Sequence, residues 1–399
     1  MSRPLVPPHD RAWVEVRTDA LRRNLGSIGE SAGPGVSLIP MVKADGYGLG
    51  VERVVEALRP ARPYGWGVAT IEEGLELRRL GLHAPVAIYS PVPPADLPRA
   101  IDAALIPSIS DPESLSVLRA LAHRATGARA STPTPIPFQI EVDTGMGRAG
   151  LLPADAAEVL RPLAATRRGL RLYGIFTHLH SADQPDLTSA RDQIARFDHF
   201  ISGLRRTGAL PADALVHCAN SAGALRLASR TANAARPGIY LYGASAGDER
   251  RRPEPVIAIR ARVLLVRDVP PGASLGYGAT YTARGHERWA TVGIGYGDGL
   301  PRALGNRGSA ILHNRRVPII GRISMDTTVV GISRDPARAR ADANAADPDA
   351  PIPNPGDIVT FVGRGGGIEL PLEEVAELAG TIPYEILTGL SRRLPRVSV

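Results

Sequence analysis

The chain has 399 residues, 44% hydrophobic and 22% charged, with a formal net charge of +7 at pH 7. That is enough for two packed domains, while 5% aromatic content and arginine runs no longer than the three at 250–252 give no footprint for nucleic acid. The single cysteine, Cys218, excludes an internal disulfide and zinc centres built on several cysteines. No apolar run approaches a membrane span, and the opening MSRPLVPPHD lacks a leader core, so a reducing, cytoplasmic setting without metal or membrane is expected.

Short apolar runs alternate with helical patterns over the first 245 residues. AWVEV (12–16) reads as a strand and TDALRRNLGSIGE (18–30) as a helix. VSLIPMVKA (36–44) is again strand-like, and GVERVVEALRP (50–60) is a helix closed by proline. YGWGVAT, PVAIYS, LIPSIS, IPFQIEVDT, LRLYGIFTHL, ALVHCAN and ARPGIYLYG (235–243) follow as strands. Helical stretches such as IEEGLELRRLGL and TSARDQIARFDHFISGLRRT separate them. About eight strand–helix units in this length predict an α/β fold, a (β/α)8 TIM-type barrel over 1–245, with function at the carboxyl ends of its strands.

From 246 to 399 the rhythm is β-branched and period-two, broken by Gly and Pro, which predicts a mostly β domain. Within it, 334–355 is an Ala-, Asp- and Pro-rich stretch expected to be an exposed insertion.

Lys43, in MVKADGYGLG, is the only lysine; the other 46 of the 47 basic residues are arginine. Charge alone would be served by arginine, but only lysine can lose its proton and form an imine with a carbonyl. It falls at the end of a predicted barrel strand, before a glycine-rich turn that holds Tyr47. This position suits a phosphorylated aldehyde cofactor, although an isolated basic residue is more often a solvated charge.

VKADGYGLG resembles the pyridoxal-phosphate lysine motif of the alanine racemases, the barrel-fold class of such enzymes. The likeness continues in order through VDTGMGRAG, FTHLHSAD, HCANSAGALR, ARPGIYLYG, LGYGATYTA, GYGDGLPR, GRISMDTTVV and GTIPYEILTGLSRRLPR, from residue 41 to 396. The resemblance implies interconversion of L- and D-alanine by two bases, supplying D-alanine for bacterial cell walls. Lys43 would carry the cofactor and serve one face of the substrate. Tyr277, from the β domain of a partner in a homodimer, would serve the other. A phenol is a poor base unless its anion is stabilised; the resemblance supplies a chain from Tyr277 to His178 to Arg236, with Arg236 facing the pyridine nitrogen. A lone histidine is otherwise more often a satisfied core residue.

The resemblance further implies that Tyr47, Ser221, Tyr384 and the amides of Gly238 and Ile239 hold the phosphate and that Asn220 belongs to the cofactor site; read as residues alone, NSAGALR begins a helix with Asn220 and Ser221 at its cap. Arg148 and the Met325 backbone would meet the substrate carboxylate, Asp326 would lie nearby, and Tyr296 would narrow the entrance. Many relatives carry a carboxylated lysine where this chain has Glu141. Glu141 would supply that charge directly and pair with Arg148, which would reach the cofactor's phenolic oxygen. Ser324, where cysteine is frequent, should not change the chemistry. Serine is the nearest competing substrate. A decarboxylase on the same fold is disfavoured, because a glutamate rather than Arg236 would be expected at the pyridine nitrogen.

Overall fold

The computed structural model describes residues 10–127, 135–165, 169–248, 250–332 and 352–399, so residues 334–351 of the expected insertion lie outside the described residues. Eight short parallel strands form the first unit: β2 (Ser37–Leu38), β3 (Trp66–Val68), β4 (Val86–Pro91), β5 (Ile106–Ile109), β6 (Ile136–Glu141), β7 (Leu170–Phe176), β8 (Leu215–His217) and β9 (Ala234–Ala235). β3 to β8 pair in chain order. β2 pairs with β9, and the Met41–Gly67 and Ala219–Ala235 bridges join these two strands to β3 and β8. The ring therefore closes as the strand count predicts.

The last barrel segment is shorter than expected from ARPGIYLYG. Pro237 has no N–H to donate, and the chain turns into a short 3-10 helix at Ile239–Tyr242. The barrel floor is filled by Ile39, Ala87, Ile106, Tyr173, Leu215 and Ala234. The helix Val51–Leu58 buries Val51, Val54, Val55 and Leu58, the 3–4 spacing of one helical face. The helix Ile71–Arg79 starts on a Thr70–Glu73 capping box.

The segment 12–16 does not enter the barrel. As β1 (Ala12–Val16) it pairs antiparallel with β10 (Ile257–Val269) and parallel with β19 (Arg396–Ser398). Four of its five residues are buried, including Trp13, so it is a central strand of the second unit. That unit is the predicted β-rich one. β10, β13 (Glu287–Val292), β16 (Thr328–Gly331), β15 (Arg315–Ile320), β14 (Ser309–Leu312) and β17 (Ile358–Gly365) form a closed antiparallel circuit, completed by the β17–β10 pairing. His313 and Asn314 both take positive φ in the two-residue β14–β15 turn, the geometry that suits the right-handed twist of a hairpin. Among the described residues no helix is long and apolar enough to cross a membrane.

Candidate active site

Along a strand the side chain returns to the same face every two residues. Above the apolar floor residues Ala87, Ile106, Leu215 and Ala234 therefore stand Tyr89, Ser108, His217 and Arg236, a polar layer at the carboxyl end of the barrel. Arg236 is only 4% exposed. Its Nη1 donates to the His217 carbonyl at 3.2 Å and lies 2.5 Å from His217 Nδ1. Its Nη2 donates to the Thr177 carbonyl at 2.9 Å and reaches His178 Nδ1 at 3.4 Å. The guanidinium sits 5.0 Å from the Phe176 ring centroid and 5.3 Å from that of Tyr89. A guanidinium only donates, so both histidines accept at Nδ1 and carry their proton on Nε2. Burial, then the fields of Arg236, Arg148 and Lys43, push the His178 imidazole down to about 3. Burial and Arg236 also hold His217 well below its ordinary value. Both rings are neutral at physiological pH.

Lys43 opens a turn whose next four residues, Ala44, Asp45, Gly46 and Tyr47, all have φ between +53° and +60°. Three of them carry a Cβ, and left-handed backbone costs such residues about 1–2 kcal/mol each. The turn persists because it is tied on several sides. Gly46 donates to Val42 O at 2.9 Å, Gly48 to Ala44 O at 2.8 Å and Gly50 to Asp45 O at 2.9 Å. Val51 donates to Asp45 Oδ1 at 2.8 Å, and Ala44 to Glu73 Oε1 at 2.7 Å. The Lys43 amine is shifted down, first by burial and then by Arg148; Glu73 opposes, and Arg236 adds to the depression.

Tyr47 stacks on Tyr242 at 4.2 Å between centroids, and Tyr384, from the C-terminal helix Pro383–Thr388, tilts against Tyr47 at 6.1 Å. Burial raises both phenols, Tyr384 to about 12, so both hydroxyls remain donors. A Cβ on Gly238 would lie 2.5 Å from Tyr47 Oη, so only glycine lets the phenol reach this backbone. Ser221 Oγ accepts from Gly238 N at 2.9 Å and from Tyr240 N at 3.4 Å. Hydroxyls of Tyr47 and Ser221 thus meet the 238–240 backbone in one small cradle, whose hydroxyl hydrogens suit a phosphate dianion, while the Gly238 N–H would join them by leaving Ser221 Oγ. Ser221 is therefore not the helix cap; Asn220 is, accepting from Gly223 N at 2.9 Å. Asn220 Nδ2 donates to the Leu179 carbonyl at 3.4 Å, which spends that side chain on local structure.

Glu141 is buried at the end of β6, where Ser110 Oγ donates to its Oε2 at 3.3 Å. Burial raises its carboxyl, while Arg236 and then Arg148 pull it back down. The expected Glu141–Arg148 ion pair is absent among the described residues. Arg148 is exposed on the loop after Asp143 and acts on Glu141 through its field. That loop is shaped by Asp143, whose carboxylate accepts from the backbone of Gly145, Met146 and Gly147.

Tyr277, Tyr296, Met325 and Asp326 form a second group, on the β domain. Gly278 packs on Arg322, Tyr296 donates its N–H to Ser324 O at 3.0 Å, and Gly297 donates to Met325 O at 2.8 Å. Asp326 is held by Arg393 at 2.6 Å. Tyr277 is 69% exposed and Met325 52%. Within one chain, Tyr277 makes no hydrogen bond to Lys43, His178 or Arg236 among the described residues. The barrel group converges and the β-domain group faces outward. Sequence reasoning passed over His217, although it lies within the quoted HCANSAGALR, and Glu73. Period-two counting from Leu215 finds the first; the second is visible only once two loops are seen side by side.

A family model described as alanine racemase, N-terminal domain, matches residues 16–246, and one described as alanine racemase, C-terminal domain, matches residues 256–398. The chain belongs to the alanine racemase family. It is 35% identical over 388 residues to the alanine racemase of Symbiobacterium thermophilum, covering 96% of each chain. It is 33% identical to alanine racemase 2 of Bacillus subtilis, covering 96% of this chain and 93% of that one. The structure is similar to that of the Bacillus anthracis alanine racemase with bound L-Ala-P, with TM-score 0.83, 30% identity, and 99% and 96% of the two chains covered. It is also similar to the Bartonella henselae alanine racemase with covalently bound pyridoxal phosphate, with TM-score 0.81, 28% identity, and 98% and 100% covered. The unique buried-side lysine beside a hydroxyl-and-amide cradle fits that cofactor.

Proposed function

We propose that this chain interconverts L- and D-alanine with pyridoxal phosphate carried on Lys43, and that it does so as a homodimer. The observation that carries the reading is the Lys43 turn facing a buried Arg236 that donates to neutral His178. When bound, the cofactor supplies the electron withdrawal that makes the substrate Cα–H acidic. Tyr47, Ser221, Tyr384 and the amides of Gly238 and Ile239 would hold its phosphate, and Arg236 would face its ring nitrogen as a fixed donor. Arginine does not give up a proton there, so electron withdrawal stays limited and the proton is returned quickly.

Burial and two arginines make the Lys43 amine lose its proton more easily than a free lysine, which suits it to take a proton from one substrate face. A tyrosine presented by a second chain's β domain completes the other face: its exposed Tyr277 would meet His178, whose Nε2–H is free of Arg236. That hydrogen bond would stabilise the phenolate, and Arg236 fixes the ring that donates it. Arg148 and the second chain's Met325 backbone would hold the substrate carboxylate, with Asp326 beside them and Tyr296 at the entrance. Glu141 would balance the positive charge of Arg236 and Arg148.

Proton NMR of the protein with pyridoxal phosphate and L-alanine in heavy water, followed by chiral analysis, tests this. Loss of the Cα–H signal with appearance of D-alanine is expected. Unchanged alanine with exchange of serine would move the substrate assignment to serine.

A further inference from the structure

We propose that Glu73 is a positioning residue for Lys43, joining the left-handed turn behind the lysine to the neighbouring βα loop through the two oxygens of one carboxylate. The proposal deepens the function given above and rests on Lys43 being the reactive amine. A capping box asks its glutamate only to reach back to the start of its own helix. Glu73 does this with Oε2, which accepts from Ala69 N at 2.7 Å and Thr70 N at 3.3 Å. Its Oε1 crosses to the preceding βα loop and accepts from Ala44 N at 2.7 Å. Ala44 is the residue after Lys43 and the first of the left-handed run, at φ +53°. A backbone amide in that strained conformation is oriented by its acceptor, so the carboxylate fixes the direction in which the lysine leaves the backbone.

The charge matters as well as the geometry. Arg148 and Arg236 both press on the Lys43 amine, and Glu73 is the anion that opposes them, while His178 beside it is neutral. That charge opposes the two arginines, so removing it should let the amine lose its proton at lower pH.

Because Lys43 is the only lysine, protein labelled with [ε-13C]lysine gives one resonance, and the amine can be titrated in the cofactor-free protein. Glu73→Gln keeps one acceptor oxygen and loses the charge. It should lower the Lys43 midpoint by about half a pH unit and reduce kcat about tenfold with KM within about twofold. Thr70→Ala removes the Glu73 N to Thr70 Oγ1 bond of 3.3 Å and the Thr70 contact with Glu72, and leaves both Glu73 carboxylate oxygens on their backbone donors. It should lower thermal stability while leaving the Lys43 midpoint in place. If Glu73→Gln changes stability alone, as Thr70→Ala does, Glu73 is a helix cap and the proposal is wrong. Should Glu73→Gln not fold, amide hydrogen exchange of the wild-type protein decides: the Ala44 and Ala69 amides, held by one carboxylate, should be protected together, and an unprotected Ala44 amide overturns the link. The NMR outcomes do not depend on turnover, so failure here is separable from failure of the racemase assignment.

Discussion

Arg236 reaches His178 with one end of its fork and His217 with the other, from a position almost fully out of water. The fork decides both tautomers, because neither histidine can donate to it through Nδ1. A buried cation next to two imidazoles also keeps both uncharged.

Replacing Arg236 with lysine keeps the charge and loses the fork. One ammonium cannot serve His178, His217 and the Thr177 carbonyl at once. Steady-state kinetics of Arg236→Lys should show kcat down by about 10²-fold or more, with the protein still binding cofactor by absorbance.

Acid should destabilise the fold through the same histidines. His178 sits at about 3 when folded and near 6.5 when unfolded, and His217 is displaced in the same direction. The unfolded state therefore binds more protons between those values, and stability falls as pH drops below about 6.5. Glu141, whose carboxyl is raised when buried, works the opposite way and softens the loss. Melting of the cofactor-free protein from pH 7.5 to 5 should show Tm falling steadily below about pH 6.5, and a flat profile would contradict the assigned neutral histidines.

The outward-facing Tyr277 predicts complementation. Lys43→Ala and Tyr277→Phe should each be nearly inactive alone. Unfolded together and refolded as a mixture, they should recover roughly a quarter of wild-type activity, because half the dimers are mixed and each has one intact site. No recovery would place Tyr277 in the site of its own chain.

Glu141→Gln leaves the Ser110 contact available and removes the only anion that balances Arg148 and Arg236 from β6. Activity should drop several-fold with cofactor binding retained, and added bicarbonate should not restore it. Full activity would show that Glu141 is a structural strand-end residue.

Gly48→Ala should be costly without touching any reacting group. Gly48 has φ +81°, and a Cβ there would meet the Leu387 carbonyl at 2.2 Å. Forcing the C-terminal helix off the Lys43 turn should destabilise the protein by about 2–4 kcal/mol, read from chemical denaturation, and should loosen Tyr384 from Tyr47.

The sequence by itself determined the barrel rhythm, the β-rich second half, and the singularity of Lys43, because each is a local signal: periodicity, β-branching, one residue type where others would serve. Arg236 and His178 were reached through the family resemblance, whereas His217, two residues after Leu215, came to light only in the structure. Only the tertiary structure decided that the strand at Ala12–Val16 leaves the barrel for the second sheet, because pairing partners lie some 245 residues away and leave no mark in a five-residue strand pattern. It likewise separated Arg148 from Glu141 as a direct pair, left Ser221 out of the helix cap that Asn220 fills, and set Glu73 against the turn after Lys43. Those outcomes depend on which hydrogen-bond partners the packed chain brings within reach, and the periodicity of a sequence does not carry that.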